Sequence, residues 1–405
     1  MTIAQGTSKQ TRVKRQSAKG SLAGTSGGQI MRREQSIFEL VKDTYDTASE
    51  ITSKQQLLSN RHGVKTVNGS LNGLLSPGTY ADLLSAVLRR DFAAVTAITA
   101  ASITIAGTGP YTVTRAAGSY LTDGIKIGMV VRLTAGSFNA ANLNKNLLVT
   151  GVTALVLTVI VLNGSTLTAE GPIASATVSV PGKVTYVPET GHTDIYWTVE
   201  EWYPDASISE RNLDVKFTQA DLSLPGTGNA TINFTAIGLD QTDDTTVYFT
   251  SPTAETSTDV LAAANGALYV GGTAQATITD LSISINGNGS PADGVVGTNL
   301  RPDVFRGKVM VNGSFTAYFE GGTIPDLFRD ETETSIISAL TAGTAAAADF
   351  VTFTLSELKL NTSTPDDAET GLKRTYSFVA TYNAGGGAAL ANHATTIMVH
   401  DSQAA

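Results

Sequence analysis

Val67-Asn68-Gly69-Ser70-Leu71-Asn72-Gly73-Leu74-Leu75-Ser76-Pro77-Gly78-Thr79-Tyr80-Ala81-Asp82-Leu83-Leu84 returns without a gap as Val311-Asn312-Gly313-Ser314-Phe315-Thr316-Ala317-Tyr318-Phe319-Glu320-Gly321-Gly322-Thr323-Ile324-Pro325-Asp326-Leu327-Phe328. Eight of these 18 positions are identical, and Gly63 and Gly307 extend the match upstream. Each copy reads as a strand, a turn and a helix. Val64 to Leu75 alternates, Pro77-Gly78-Thr79 punctuates, and Leu83, Leu84, Val87 and Leu88 then fall on one helical face. Self-similarity at one fixed offset predicts a duplicated supersecondary unit.

A second pair lies downstream. Phe217 to Leu224 aligns with Phe353 to Leu360, and Thr231, Phe234 and Ala236 then answer Thr375, Phe378 and Ala380. Leu84 and Phe217 are 133 residues apart, Phe328 and Phe353 only 25, so about 108 extra residues sit in the first half. The stretch 93–182 fits that surplus, being nearly uncharged and divided by Gly, Asn and Pro into short strand-like runs. The expected organisation is an N-terminal arm at 1–28 and a discontinuous first domain at 29–92 and 183–245. An inserted β-sandwich or small barrel at 93–182 and a second domain at 246–405 complete it.

Of the 405 residues, 41% are hydrophobic, 16% are charged, and 39 are glycine. That composition suits many short strands around ordinary cores. With no cysteine there is neither a disulfide framework nor a thiolate site. No apolar run reaches 18 residues and no signal peptide is legible, so folding in a cytoplasm is expected, with no membrane partner. The net charge of −9 conceals an asymmetry. Lys9, Arg12, Lys14, Arg15, Lys19, Arg32 and Arg33 precede the first acid, Glu34, which leaves 20 bases against 36 acids, or −16, in the remainder. A basic arm ahead of an acidic body reads as a solvated tail or a segment that grips another molecule, with Lys9, Arg12, Lys14, Arg15 and Lys19 as its contacts.

Residues that resemble chemical sites fail on context. Gly24-Thr25-Ser26-Gly27-Gly28 matches a nucleophile elbow but lies in the polar arm, where no buried strand feeds it. His192, Asp194, Glu200, Glu201 and Asp205 would make a metal or acid–base cluster. However, Tyr196, Thr198 and Glu200 alternate against Ile195, Trp197 and Val199, as on a strand with one wet face. Neither a cofactor nor a metal is expected, and the chain reads as structural, not enzymatic.

With the repeat in view, the chain resembles the tail tube proteins of siphophages over roughly Gln29 to Asp401. The features that carry the resemblance are the strand–turn–helix of Val67 to Leu88, its return at Phe315 to Phe328, the late strand Phe353 to Leu360, the lead-in Asp43 to Arg61, and a β-domain inserted after the first helix. The resemblance implies a mainly β protein with two tube-type β units, each flanked by a helix, plus the inserted β-domain. It also implies stacked rings in a virion tail, built in the host cytoplasm around a tape-measure protein and bounded by tail terminator and distal tail proteins. Double-stranded DNA would pass through without specific binding. Family members with one tube domain form hexamers, so a duplicated chain is expected to reach the same ring as a pseudo-sixfold trimer, with a hexamer as the alternative. The matched residues Val67, Asn68, Gly69, Ser70, Gly78, Thr79, Asp82 and Leu83, with Val311, Asn312, Gly313, Ser314, Gly322, Thr323, Asp326 and Leu327, would be the structural motif of each unit. The arm, and the loop Asn361 to Thr370, would grip the adjacent ring. The competing reading is a tail fibre or adhesin-like β-protein that binds a host glycan.

Overall fold

The computed structural model describes residues 3–51, 53–367, 369 and 371–405. It opens with β1 (Gln10–Arg15), β2 (Gln29–Ile30), β3 (Gln35–Asp46), β4 (Asn60–Leu74) and helix α1 (Ala81–Leu88). Six strands follow: β5 (Ile98–Ala106), β6 (Tyr111–Arg115), β7 (Val130–Ala135), β8 (Leu147–Val152), β9 (Val156–Val161) and β10 (Glu170–Ser179). Next come β11 (Lys183–Tyr186), β12 (Trp197–Tyr203), β13 (Ile208–Pro225), β14 (Thr231–Gly238) and β15 (Asp240–Asp244). The second half holds β16 (Gly266–Val270), β17 (Thr273–Ala274), β18 (Ile278–Asn286), β19 (Gly289–Pro291), β20 (Val304–Arg306) and β21 (Met310–Tyr318). After α2 (Thr323–Arg329) it ends with β22 (Thr334–Thr341), β23 (Phe350–Pro365), β24 (Lys373–Ala380) and β25 (Met398–Asp401). The protein is mainly β, 48% strand against 4% helix. The sheets therefore set the architecture.

Hydrogen-bonded register relates the two halves more closely than the residues do. The ladder β3–β4–β14–β13 recurs as β18–β21–β24–β23. β12 is flanked by β1 and β13 as β22 is by β16 and β23, and β15 lies on β13 as β25 lies on β23. Even the bulges coincide, between Trp197 and Val199 as between Thr334 and Ile336, and between Phe217 and Gln219 as between Leu360 and Thr362. Around these bulges the long strands β13 and β23 change partners, β13 from β12 and β15 to β14 and β18, and β23 from β22 and β25 to β24.

This register corrects the downstream alignment. Gly69 faces Ala236 and Gly313 faces Phe378. Phe217 therefore answers Leu360 instead of Phe353, and Phe234 answers Tyr376 instead of Phe378. The cause is that β23 is buried from Phe350 to Leu355 as well as at Leu358 and Leu360, so an apolar pattern fits it at more than one offset.

The 1–28 arm is also corrected, over its described residues. Gln10–Arg15 is a strand on β12, standing where β16 stands on β22, and belongs to the first unit. Its charges are spent within the chain: Lys9 on Glu201 (2.7 Å), Arg12 on Glu200 (3.5 Å) and Arg15 on Asp82 and Asp91 (2.8 and 2.7 Å). Lys14 donates to the carbonyls of Gly24 and Ser26, and Lys19 lies 3.7 Å from Asp303. The expected wet face of β12 is dry for the same reason. Glu200 is fully buried under β1 and accepts from Ser209 Oγ and from the backbone N–H groups of Tyr248 and Phe249. A buried carboxylate persists only when its oxygens are satisfied in this way.

Strands β5 to β10 close as a six-stranded barrel with its own apolar core, including Ile103, Val113, Val131, Leu147 and Val159. The barrel leaves the first unit after α1 yet sits on the second. Val130, Leu148 and Leu162 pack against Ile337, Ala339 and Phe350. Buried Lys126 donates to the carbonyls of Gly387, Ala388 and Leu390. β11, the barrel's exit strand, pairs with β25.

A candidate lumenal face and two open edges

Eight strands form one continuous ladder, β3–β4–β14–β13–β18–β21–β24–β23, with β13 on β18 as the seam between units. Because side chains alternate along a strand, register sorts them into rows on opposite faces. One row reads Ser36, Leu71, Phe234, Ala220, Ile285, Val311, Ala380, Leu358, all buried. The adjoining row on the other face reads Gln35, Asn72, Asn233, Asp221, Ser284, Asn312, Val379, Lys359. Beside it run Leu74, Thr231, Ser223, Ser282, Ser314, Ser377, Thr362. The outward face is largely hydroxyl and amide.

Cross-strand bonds tie these polar side chains together. Ser282 Oγ lies 3.0 Å from Ser314 Oγ, Thr316 Oγ 2.9 Å from Thr375 Oγ, and Thr362 Oγ 2.7 Å from Ser377 Oγ. Asp221 accepts from Ser284 Oγ and from Gln219 Nε2 (2.9 Å). Near the seam this face is concave, enclosing about 540 Å³ between Asp221, Ser282, Ser314 and Ser377. Among the described residues no group of His, Cys, Asp or Glu has the arrangement of a metal site. Asp194, one of the candidate metal ligands, instead pairs with Lys216 at 2.7 Å.

The ladder ends in two unpaired edges. Among the described residues β3 pairs only with β4, and its outward Ile37 and Val41 are 48% and 38% exposed. Beyond its bulge, β23 pairs only with β24, leaving Thr362 to Pro365 open on the other side. The tips Tyr45, Ile51, Leu57 and Leu58 of the β3–β4 hairpin are exposed as well.

A model of the phage tail tube protein family matches residues 40–388. The chain belongs to the phage tail tube protein family. Its role is structural and its place is the virion tail. No curated protein matches the chain. No helix among the described residues is long and apolar enough to cross a membrane.

In this tail tube protein the matched motif residues divide by face. Val67 and Val311 are fully buried, whereas Asn68 is exposed and Asn312 stands on the polar row. Gly69 and Gly313 lie beneath the rings of Phe38 and Phe378, where any Cβ would collide. Ser70 lies 3.4 Å from Asn233 Oδ1, and Ser314 bonds Ser282. Gly78 has φ +75° and gives its N–H to Asp401 Oδ2 at 2.8 Å, while Thr79 Oγ meets Ser76 Oγ and Thr256 Oγ at 2.6 Å. Gly322 keeps an ordinary φ of −83°, and α2 begins at Thr323 where α1 begins two positions later in the repeat. Leu83 is core and Leu327 half-buried. Asp82 binds Arg15, whereas Asp326 binds Arg329. Of the loop Asn361 to Thr370, positions 368 and 370 lie outside the described residues; Asn361 to Pro365 is strand.

The polar rows and the edges escaped the reading of the sequence. A signal existed in Ser282-Ile283-Ser284-Ile285-Asn286 and Thr375-Tyr376-Ser377-Phe378. A small polar residue recurs there at every second position, but only register joins such strands into one face.

Proposed function

We propose that three chains join head to tail through these edges and close a ring whose barrel is lined by the hydroxyl–amide face. The carrying observation is the seam inside each chain. There β13 offers its edge to β18, the counterpart of β3, and β23 is the counterpart of β13. Repeating the seam between chains places Thr364 opposite Glu39 of the next protomer, as Asp221 stands opposite Ser284. Head-to-tail contacts of this kind close when the rotation divides a full turn, and closure removes edges that otherwise aggregate.

Width supports three chains over six. Eight strands per chain give twenty-four, which at ~4.8 Å spacing make a wall about 115 Å around and some 37 Å across before tilt. That leaves room for a B-form duplex, whose two grooves together are roughly 16 Å deep, and for the side chains that line the wall. Six chains would double the bore. Stacked rings then form a conduit, assembled in the host cytoplasm around the tape-measure protein, ended by terminator and distal tail proteins, and later traversed by DNA. A wall of hydroxyls and amides with few cations suits passage, because each lysine or arginine contact to phosphate adds salt-dependent adhesion.

Electron microscopy and native mass measurement should find hollow rings of three chains. Oxidising Glu39→Cys/Thr364→Cys, in a chain with no other cysteine, should link neighbours covalently. Solid monomers at all concentrations, or rings of six, contradict the proposal.

A further inference from the structure

The segment that leads into the second unit is docked on the first. Leu261, fully buried, donates its N–H to Leu75 O and accepts from Ala230 N–H, both at 2.9 Å, closing the corner between β4 and β14. A turn follows in which Asn265 N–H meets Ala262 O at 3.0 Å, and then β16 begins. The segment that leads into the first unit has the same form. Ser8 N–H meets Gln5 O at 3.1 Å and β1 follows, so that Val13 on Val199 corresponds to Val270 on Ile336. In this register Ala4 takes the place of Leu261. Yet among the described residues Ala4 has no backbone bond of this kind, and Ile3 beside it is 85% exposed.

The matching corner of the second unit stands open. Phe319 N–H bonds Leu372 O at 2.9 Å, as Leu75 N–H bonds Ala230 O at 2.8 Å. Among the described residues, Phe319 O and Leu372 N–H have no hydrogen-bond partner, although their counterparts both hold Leu261. Tyr318, Phe319 and Leu372 are 45%, 45% and 51% exposed, and a cavity of about 290 Å³ opens beside them under the start of α2. Exposed aromatic surface beside backbone groups with no protein partner is the kind of place where a further strand can add.

We propose that residues Ile3 to Ser8 of each protomer plug the β21–α2 corner of its ring neighbour, with Ala4 bridging Phe319 O and Leu372 N–H and Ile3 covering the exposed aromatic rings. The proposal rests on the head-to-tail ring. It makes the N-terminal tip a lateral latch between protomers of one ring, not a grip on the ring above.

The test uses an internal control. Asn229 pairs with Ala262 across the closed corner, and the corresponding pair across the open one is Gly371 with Gln5 of the next protomer. Opposed residues of an antiparallel bridge lie about 4.5–5.5 Å apart, within disulfide reach. Full-length Gln5→Cys/Gly371→Cys, assembled and then oxidised, should run as covalent dimers and trimers. Asn229→Cys/Ala262→Cys should close within single chains. Rings on the grid whose Gln5→Cys/Gly371→Cys chains stay uncrosslinked, while the control closes, overturn the latch and leave the ring standing. Absence of rings in the unaltered chain overturns both. Should the double variant alone fail to assemble, maleimide labelling of single Gln5→Cys decides. At least tenfold slower labelling in rings than in free protomers is expected, and equal rates overturn the latch.

Discussion

His400 shows how one side chain holds two domains in register. Its Nδ1 accepts the Val130 N–H of the barrel at 3.1 Å and its Nε2 faces Pro181 O at 2.7 Å, an arrangement that only a neutral imidazole with its proton on Nε2 satisfies. Complete burial lowers its pKa to about 4, and burial together with Lys126 and Arg90 lowers that of His393 to about 3. Both values lie below the ordinary 6.5, so their contribution is present above pH 6.5 and is lost as the pH falls toward 4. Asp401 opposes them. Burial raises its carboxyl to about 6, a contribution that is full below pH 3.8 and fades as the pH rises through 6. From pH 7 to pH 5, His400 alone should remove about 2 kcal/mol of stability. Thermal melts of the wild type and His400→Gln at the two pH values check this. The variant should lose visibly less on acidification, and equal losses would place the titration elsewhere.

At the scale of elements, the barrel and the two helices depart most from a simple duplication. The barrel occupies the interval where a surplus was expected, but it is welded on through Phe350, Lys126 and β11, where a loosely hung decoration would need few contacts. Excising 97–180 and joining the ends should therefore expose Ile337 and Phe350 and give a chain that aggregates or melts well below the wild type. A soluble excised chain with an unchanged melting temperature would show that this apolar contact contributes little. The helices differ because their surroundings differ. All of α1 except Asp82 is buried, whereas only Pro325 of α2 is, because α1 packs against β13, β11 and β18 and α2 against β23.

At the scale of the whole molecule, one ladder carries a dry face, a polar face and two open edges. If the polar rows line the bore, placing cations there should turn a conduit into a trap. Ser282→Lys/Ser284→Lys/Asn312→Lys tubes should retain duplex DNA at low salt and release it as salt rises, with log affinity falling by about 0.9 per phosphate engaged for each tenfold rise in salt. Wild-type tubes should not retain it. Binding measured across a salt series decides, and identical behaviour of the two tubes would put these residues outside the bore.

Residue order alone gave the mainly β character, and it raised the expectation of a strand–turn–helix unit that returns 244 positions later and of an insertion in the first half. These rest on local patterns, namely alternation, turn chemistry and helical spacing. Tertiary structure decided the rest. Only hydrogen-bonded register could show that Phe217 answers Leu360, since buried strands are apolar on both faces and match at several offsets. Only packing could show that Lys9, Arg12 and Arg15 serve their own chain, because a charge pattern does not say where its counter-charges fold to. The polar face and the open edges are likewise properties of strands set side by side.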